Sequence, residues 1–503
     1  MRPYPELCRL TVIELTAMLK RGETTSAEIT QAYLASIAAQ NGTLNAYLDV
    51  FAGPALAQAA QSDERRLAGQ PLSPLDGIPV ALKDLILVEG HRCTCGSRML
   101  ADFVAPYSAT VVEKLRAAGL PILGKLNMDE FAMGSSNENS AFGVCRNPWD
   151  TTRVPGGSSG GAAAAVAAGM APFALGSDTG GSIRQPASFC GVVGVKPAYG
   201  TVSRYGLVAF ASSLDQIGPL AKTAEDAALL MGVVAGRDPR DATSDGTLST
   251  DFSLAVPETL EGITVGMPRE CFGEGLAMPV YHAVQAAAGQ LRAMGARVVE
   301  TSIPSLPYAL SAYYVLSSAE ASSNLARFDG VRYGYRVREY ADLDELYRKS
   351  REEGFGLEVK RRIMLGTFAL SSGYQDQYYL KAQQARELLR HEFGQALAGC
   401  DALLTPVAPT FAYKLGEKTD DPMEMYMGDL YTVPANLTGL PAVSVPCGHT
   451  EEGGVTLPVG MSLTGARDGL ARLLSIAAAY ERRNRPNAGL HPYEHLRKGG
   501  EGA

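Results

Sequence analysis

The chain has 503 residues, of which 46% are hydrophobic and 19% are charged, and its formal net charge is −8. These values are typical of a globular protein with a large core, long enough for two to four domains. The acidic balance argues against a protein that binds nucleic acid through a broad basic face of its own, but leaves room for a partner subunit that does so.

Eight cysteines are scattered along the chain, and only Cys93 and Cys95 lie close together. Their spacing lacks the paired pattern of a zinc site, so we expect free thiols in a reducing compartment and no metal. The N-terminal sequence MRPYPELCRL has no apolar segment behind a basic start, and the weakly polar run at 162–176 is too short to span a bilayer. We therefore expect a cytoplasmic protein that has no membrane contact.

Two helices are predicted near the N-terminus, at residues 11–21 and 25–40. Each begins with a threonine that is followed three positions later by a glutamate. This pattern is a capping box, in which the two side chains satisfy the first free amides of the helix.

The next part of the chain has the pattern of an α/β protein. Residues 75–84 combine a turn with a short apolar run that carries Lys83 at its end, which predicts a buried strand. A helix at 109–118 and a following strand that ends at Lys125 form a helix-to-strand unit. The polar, glycine- and serine-rich segment 133–142 is typical of a loop above a cleft.

Strands and helices continue to alternate in the rest of the chain. The predicted strands are 261–267, 296–300, 401–406 and an antiparallel pair at 442–447 and 454–464. The predicted helices are 223–235, 280–295, 313–324, 359–370, 377–398 and 470–483. We expect one large mixed α/β domain over residues 1–495 and a disordered tail at 496–503.

Two glycine-flanked serine sites bracket an alanine-rich run. The first is GGSSGG at 156–161, which contains Ser158, and the second is DTGGS at 178–182, which ends in Ser182. Glycine adopts backbone dihedrals that other residues resist, and it permits the close approach of a ligand. The pattern indicates two serines brought to one place, and a flexible turn is the alternative for the first segment.

A serine hydroxyl is a weak nucleophile and needs a base within hydrogen-bonding reach. None of the six histidines lies in the serine segments, although a triad that uses a distant histidine stays open. Lys83 is another candidate base, because its apolar neighbours favour the neutral amine. The competing interpretation is a lysine at a strand end that pairs with Asp84.

The run at 156–186, from GGSSGG to GSDTGGSIRQP, resembles the amidase signature family, and so does GIPVALKD around Lys83. The resemblance implies the α/β amidase-signature fold, which is one large mixed β-sheet covered by helices on both faces, with a signature core at about 70–240. It further implies that Ser182 is the acyl-forming nucleophile and that Lys83 is the base. Ser158 would be the bridging serine, which in this family follows a cis peptide bond.

The turn that contains Ser182 has a second possible task. Consecutive amides beside two glycines can point at one spot and hold a developing oxyanion. From the residues alone, a structural or anion-binding turn explains the pattern equally well. The family resemblance implies that the amides of Thr179, Gly180, Gly181 and Ser182 form the oxyanion hole.

The second half of the chain resembles one group of enzymes within this family. Residues 317–333, 358–373 and 425–441 are similar to the glutaminase chains of tRNA-dependent amidotransferases. This implies hydrolysis of glutamine and transfer of the ammonia to a partner that converts Glu-tRNA(Gln), or Asp-tRNA(Asn), with ATP. It also implies a heterotrimer with B and C subunits, tRNA bound mainly by the B subunit, no cofactor in this chain, and ATP and magnesium at the partner.

By the same resemblance, Arg362 binds the carboxylate of glutamine and Asp429 binds its ammonium group. Tyr313 is the pocket tyrosine, with the adjacent Tyr314 as the alternative. A bidentate arginine suits a carboxylate. Judged without the resemblance, Arg362 is a surface charge on a basic helix and Asp429 is a cap or turn carboxylate.

Two other functions compete with this interpretation. One is a free-standing amidase that acts on small amides, against which the segments at 317–333 and 425–441 argue. The other is an interaction module with a vestigial site, against which the intact set of Lys83, Ser158 and Ser182 argues.

Overall fold

The computed structural model describes residues 4–419 and 421–484. The tail predicted at 496–503 lies outside the described residues. Among the described residues, no helix is both long and apolar enough to cross a membrane. All eight cysteines are free thiols, as the sequence predicted.

One mixed sheet runs through the described part of the chain, and it contains eleven strands. In chain order they are β1 Tyr47–Val50, β2 Val80–Lys83, β3 Ile122–Leu126, β4 Phe173–Asp178, β5 Val193–Lys196, β6 Gln216–Ala221, β7 Thr264–Pro268, β8 Arg297–Thr301, β9 Ala402–Pro406, β10 Ala442–Glu452 and β11 Val455–Thr464. Their order across the sheet is β1-β3-β2-β4-β6-β5-β10-β11-β9-β7-β8.

The α-helices lie between and beyond these strands. They are α1 Tyr4–Leu7, α2 Val12–Arg21, α3 Ser26–Leu44, α4 Ala52–Leu67, α5 Thr110–Ala117, α6 Gly160–Ala167, α7 Arg184–Cys190, α8 Ala224–Val234, α9 Met278–Ala293, α10 Ala309–Asn324, α11 Leu343–Gly354, α12 Leu357–Leu370, α13 Leu380–Ala398, α14 Pro422–Met427, α15 Val433–Thr438 and α16 Leu470–Asn484. Short 3-10 helices occur at Arg98–Leu100, Glu130–Ala132, Arg269–Cys271, Leu306–Tyr308 and Leu325–Arg327, and a π-helix at Gln375–Tyr379.

Helices cover both faces of the sheet. Helices α6 and α7 contact each other and the strands of the sheet, and α8, α9 and α16 form a second group that packs on strands of the same sheet. As a result every residue of the central strands β2 to β6 is buried. A strand covered on both faces needs a continuous run of buried side chains, as in the sequence VALK of β2. The fold is therefore the predicted α/β architecture.

Both predicted capping boxes are present. The side chain of Thr11 accepts from the amide of Glu14, whose carboxylate accepts from the amide of Thr11, and the start of α3 repeats this arrangement. The predicted hairpin is longer than expected. Strand β10 continues to Glu452, because Gly453 and Gly454 both take positive φ values, 62° and 79°, and close a two-residue turn.

The strands β3, β2 and β4 position the candidate site. They are adjacent and parallel, so their carboxyl ends lie at one edge of the sheet. Lys83 is the last residue of β2 and Asp178 is the last residue of β4. In open α/β sheets, the crevice at the carboxyl ends of parallel strands is where ligands bind.

Candidate active site

Lys83 is completely buried at the end of β2. Its Nζ lies within hydrogen-bonding distance of three uncharged hydroxyls: Ser158 Oγ at 2.7 Å, Ser159 Oγ at 2.9 Å and Ser177 Oγ at 2.9 Å. Burial lowers the pKa of Lys83 to about 7, although nearby carboxylates act in the opposite direction. At neutral pH a large fraction of the amine is therefore neutral and able to accept a proton.

The alternative pairing of Lys83 with Asp84 is not formed. Asp84 pairs instead with the buried Lys125, whose Nζ lies 2.9 Å from Asp84 Oδ1. The other oxygen of Asp84 accepts from the amide of Thr94 at 2.9 Å. This arrangement occupies the neighbouring carboxylate and leaves Lys83 to the serine hydroxyls.

The segment that carries Ser158 enters α6 through a cis peptide bond between Gly157 and Ser158. The amide of Gly157 donates to Gln185 Oε1 at 2.9 Å. A Cβ atom at Gly157 would overlap the carboxylate of Asp129. The position therefore requires glycine because the backbone passes so close to that side chain.

The turn that carries Ser182 is built around the carboxylate of Asp178. The amides of Gly181 and Ile183 donate to its two oxygens at 2.9 and 3.2 Å. The amide of Ser159 donates to the carbonyl of Ser182 at 3.0 Å, so a backbone hydrogen bond joins the two serine sites. In the described part of the chain, Ser158 is hydrogen-bonded to Lys83 and not to the hydroxyl of Ser182.

The four amides predicted for an oxyanion hole differ in their partners. The amide of Gly181 already donates to Asp178. Within the described residues, the amides of Thr179, Gly180 and Ser182 have no hydrogen-bond acceptor in the chain. These three amides are thus the ones left to bind an external oxygen atom.

Tyr313 and Thr432 pack against the glycines of this turn. A Cβ atom at Gly180 would overlap the phenol ring of Tyr313, and one at Gly181 would overlap the side chain of Thr432. The hydroxyl of Thr432 also donates to the carbonyl of Gly180 at 2.6 Å. Tyr313, on α10, therefore lies directly beside the turn that contains the candidate nucleophile.

Asp429 lies in the same region and is 6% exposed. Its carboxylate accepts from Ser135 Oγ at 2.9 and 3.0 Å and from Tyr314 Oη at 2.8 Å. Burial raises the pKa of Asp429 to about 6, although these hydrogen bonds act against the rise. Both neighbouring tyrosines thus face the site: Tyr313 contacts Gly180 and Tyr314 contacts Asp429.

Arg362 is 2% exposed on the inner face of α12, so it is not a charge on the helix surface. Its Nε donates to Glu358 Oε1 at 2.7 Å, and its guanidinium carbon lies 4.5 Å from the ring centre of Tyr314. Its Nη1 is buried and, within the described residues, has no hydrogen-bond partner. A buried cation with a free donor is suited to an anionic ligand.

Some residues of this site were missed by the sequence analysis. Ser159 and Ser177 also contact Lys83 Nζ through their hydroxyls. Ser159 lies inside the first serine motif, which was its signal in the sequence, whereas Ser177 lies just before the second motif and had none. Asp129 follows the buried strand β3, accepts from the amides of Asn137 and Asn139, and has a pKa that burial raises to about 7. An acidic residue just beyond a buried strand was its signal in the sequence.

The site contains no residues arranged for a metal. Within residues 4–419 and 421–484, no group of three or more histidine, cysteine, aspartate or glutamate side chains is placed to hold an ion.

The chain is similar in sequence to known proteins along most of its length. It is 55% identical over 468 residues to the A subunit of the glutamyl-tRNA(Gln) amidotransferase of Thiobacillus denitrificans, covering 93% of this chain and 96% of that protein. It is 55% identical over 490 residues to the protein of the same name from Moorella thermoacetica, covering 96% and 100%.

Solved structures of two relatives have the same fold. The corresponding glutamyl-tRNA(Gln) amidotransferase chain from Thermotoga maritima is 42% identical, with a TM-score of 0.78 and 95% of each chain covered. The peptide amidase from Stenotrophomonas maltophilia is 34% identical, with a TM-score of 0.81 and coverage of 96% and 98%. The model of the amidase family matches residues 28–473. This match and these relatives establish that the chain belongs to the amidase signature family.

Proposed function

We propose that this chain is the glutamine-hydrolysing component of a glutamyl-tRNA(Gln) amidotransferase. The observation that carries the proposal is a pair of opposite charges that both contact Tyr314, whose neighbour Tyr313 packs against the serine turn. Arg362 has a free buried donor and Asp429 is a buried carboxylate. A free amino acid has a carboxylate and an ammonium group that match these two charges, and a simple amide has neither. The names of the relatives support the same substrate.

In the proposed reaction, neutral Lys83 accepts the proton of Ser158 as Ser158 accepts the proton of Ser182. Ser182 Oγ then attacks the carbon of the glutamine side-chain amide, and the carbonyl electron pair moves to its oxygen. The amides of Thr179, Gly180 and Ser182 donate to that oxyanion. The hydroxyl contact between the two serines would form in the complex, since catalytic hydrogen bonds often tighten only when substrate is bound.

Collapse of the tetrahedral intermediate breaks the bond between carbon and nitrogen. The proton held on the Lys83–Ser158 pair passes to the leaving nitrogen, ammonia departs, and Ser182 carries a glutamyl ester. Water then attacks the ester with the same base, which releases glutamate and restores Ser182. Asp429 would hold the ammonium group of the amino acid, Arg362 its carboxylate, and Tyr313 would pack along its side chain.

The ammonia is passed to a partner protein in the cytoplasm. We propose a heterotrimer with B and C subunits, in which the B subunit holds most of the tRNA and uses ATP and magnesium to convert Glu-tRNA(Gln) to Gln-tRNA(Gln). Asp-tRNA(Asn) is a second acceptor of the same chemistry. Residues 1–495 of this chain would form a single amidase domain that carries no cofactor.

Purification of the tagged chain from its host tests this proposal. We expect two further subunits to copurify, and we expect the complex to consume glutamine when Glu-tRNA(Gln) and ATP are present. The 34% identity to a peptide amidase favours a free-standing amidase as the second candidate. A chain that purifies alone and hydrolyses small uncharged amides as fast as glutamine would support that second candidate and contradict the first.

A further inference from the structure

Glu358 and Arg362 lie one turn apart on α12, and both are buried, with exposures of 4% and 2%. Glu358 Oε1 accepts from Arg362 Nε at 2.7 Å and from Tyr426 Oη at 2.8 Å. The other oxygen of Glu358 accepts from the partly exposed Arg361. The carboxylate is therefore held from its own helix and from α14.

The contact with Glu358 fixes the direction of the guanidinium. This group is planar and rigid, so a bond at its Nε edge determines where the opposite edge points. Its carbon lies 4.5 Å from the ring centre of Tyr314 and 4.7 Å from that of Tyr426. Of the donors of Arg362, Nη1 is buried without a partner in the described part of the chain.

Asp429 is the other buried carboxylate near Arg362, and the charge of Arg362 helps to lower its pKa against the effect of burial. The two side chains do not form an ion pair within the described residues, because Tyr314 lies between them. Its hydroxyl donates to Asp429 Oδ2 at 2.8 Å and its ring lies against Arg362. Glu358, and not Asp429, is the carboxylate that forms an ion pair with Arg362 within the described residues, at 2.7 Å.

We propose that Glu358 is a positioning residue, which aims Arg362 Nη1 at the substrate carboxylate. This inference rests on the proposed binding of a free amino acid. In the part of the chain that the structure describes, the carboxylate of Glu358 bonds to Arg361, Arg362 and Tyr426 and to no residue of the serine turn. Its effect therefore falls on the binding of substrates that carry a carboxylate and not on the chemical step.

The test uses the full-length chain, with any subunits that copurify, and compares two amides. Glutamine has the carboxylate, and 4-aminobutanamide is the same amide without it. We expect Glu358→Ala to raise KM for glutamine about tenfold or more, because a bond to a charged group is lost, while kcat stays close to that of the wild type. KM for 4-aminobutanamide should not change.

Three further variants sharpen the test. Glu358→Gln keeps an acceptor for Arg362 Nε and should restore most of the affinity for glutamine. Glu358→Asp keeps the charge but moves it back by one methylene group, and should raise KM for glutamine by an intermediate amount. This variant keeps the test decisive if the alanine variant does not fold. Arg348→Ala removes one side of an exposed ion pair with Glu352 on α11 and should leave both KM values unchanged.

The outcomes separate this inference from the proposed function. If Arg362→Ala raises KM for glutamine and the Glu358 variants do not, the positioning role is wrong and the proposed function stands. If Glu358→Ala impairs both amides equally, Glu358 is merely structural and the inference also fails. If Arg362→Ala leaves KM for glutamine unchanged, the proposed binding of the amino acid itself is wrong.

Discussion

Arg184 and Asp178 form a bidentate ion pair that is wholly buried. Arg184 Nε lies 3.0 Å from Asp178 Oδ2, and Arg184 Nη2 lies 2.9 Å from Asp178 Oδ1. Arg184 also donates to the carbonyl of Thr432 at 2.9 Å and to Asn436 Oδ1 at 2.7 Å. One side chain thus joins the turn that contains Ser182 to the start of α15.

We expect Arg184→Ala to destabilise the protein by about 3–5 kcal/mol, because it leaves a buried carboxylate without its counter-charge. Chemical denaturation measures this loss. Arg467 pairs with Asp245 on the surface, at 2.7 Å, so Arg467→Ala is the matched control and should change stability little. Equal losses in the two variants would show that burial of the pair is not what matters.

Ser182→Ala should lower the rate of glutamine hydrolysis by about 10⁴-fold or more, because the proposed nucleophile is removed. Amidation by the complex should persist when ammonium chloride replaces glutamine, since that reaction does not use Ser182. Both rates are measured on the same preparation, with circular dichroism to verify folding. Loss of both activities in a folded variant would contradict the proposed division of labour.

The rate of glutamine hydrolysis should rise with pH through about 7. Burial lowers the pKa of Lys83 to that value, and the protonated amine present at lower pH cannot accept a proton. At one pH unit below the pKa, about a tenth of the maximal kcat should remain. The check is the pH profile of kcat at saturating glutamine, and a flat profile between pH 6 and 8 would exclude Lys83 as the base.

KM for glutamine should rise as the pH falls through about 6. Burial raises the pKa of Asp429 to that value, and protonation below it removes the charge proposed to bind the ammonium group. Asp429→Asn should raise KM about tenfold or more at neutral pH and should abolish the pH dependence of KM near 6. A variant that keeps the wild-type pH dependence would assign the titration to another group.

Gly180→Ala should impair hydrolysis strongly, because the added Cβ atom overlaps the ring of Tyr313 and must displace either that ring or the turn. The loss should appear mainly in kcat, since the displaced amides are those proposed to bind the oxyanion. Gly232→Ala on α8 is the control, as a Cβ atom there meets nothing within 4 Å. An active Gly180→Ala variant would separate this turn from the reaction.

Features that depend on neighbouring residues in the sequence were predictable. The capping boxes at Thr11 and Thr25 use partners only three positions away, and the structure contains both. The buried strand that ends in Lys83 was also predicted, because its apolar run has no interruption. In each case the pattern that predicts the element lies within the segment itself.

Features that depend on distant partners were not predictable in this way. Ser177 contacts Lys83 only because β4 pairs with β2. No pattern in the sequence of either strand predicts that pairing. The insertion of β6 between β4 and β5 has no local signal either. Tyr313 and Tyr314 are adjacent in sequence but contact different parts of the site, which follows from the orientation of α10 and cannot be read from two identical residues.

The groups proposed to break the amide bond and the groups proposed to bind the amino acid come from different parts of the chain. The lysine, the serines and the turn amides come from residues 83–182, and the charged groups proposed to hold the amino acid come from α12 and the segment before α15. Substitutions in α12 and in the segment before α15 can therefore change the substrate preference while the buried surroundings of Lys83 stay intact. Exchanging these two segments between relatives is a direct way to redesign the substrate range, because the groups that break the amide bond need not move.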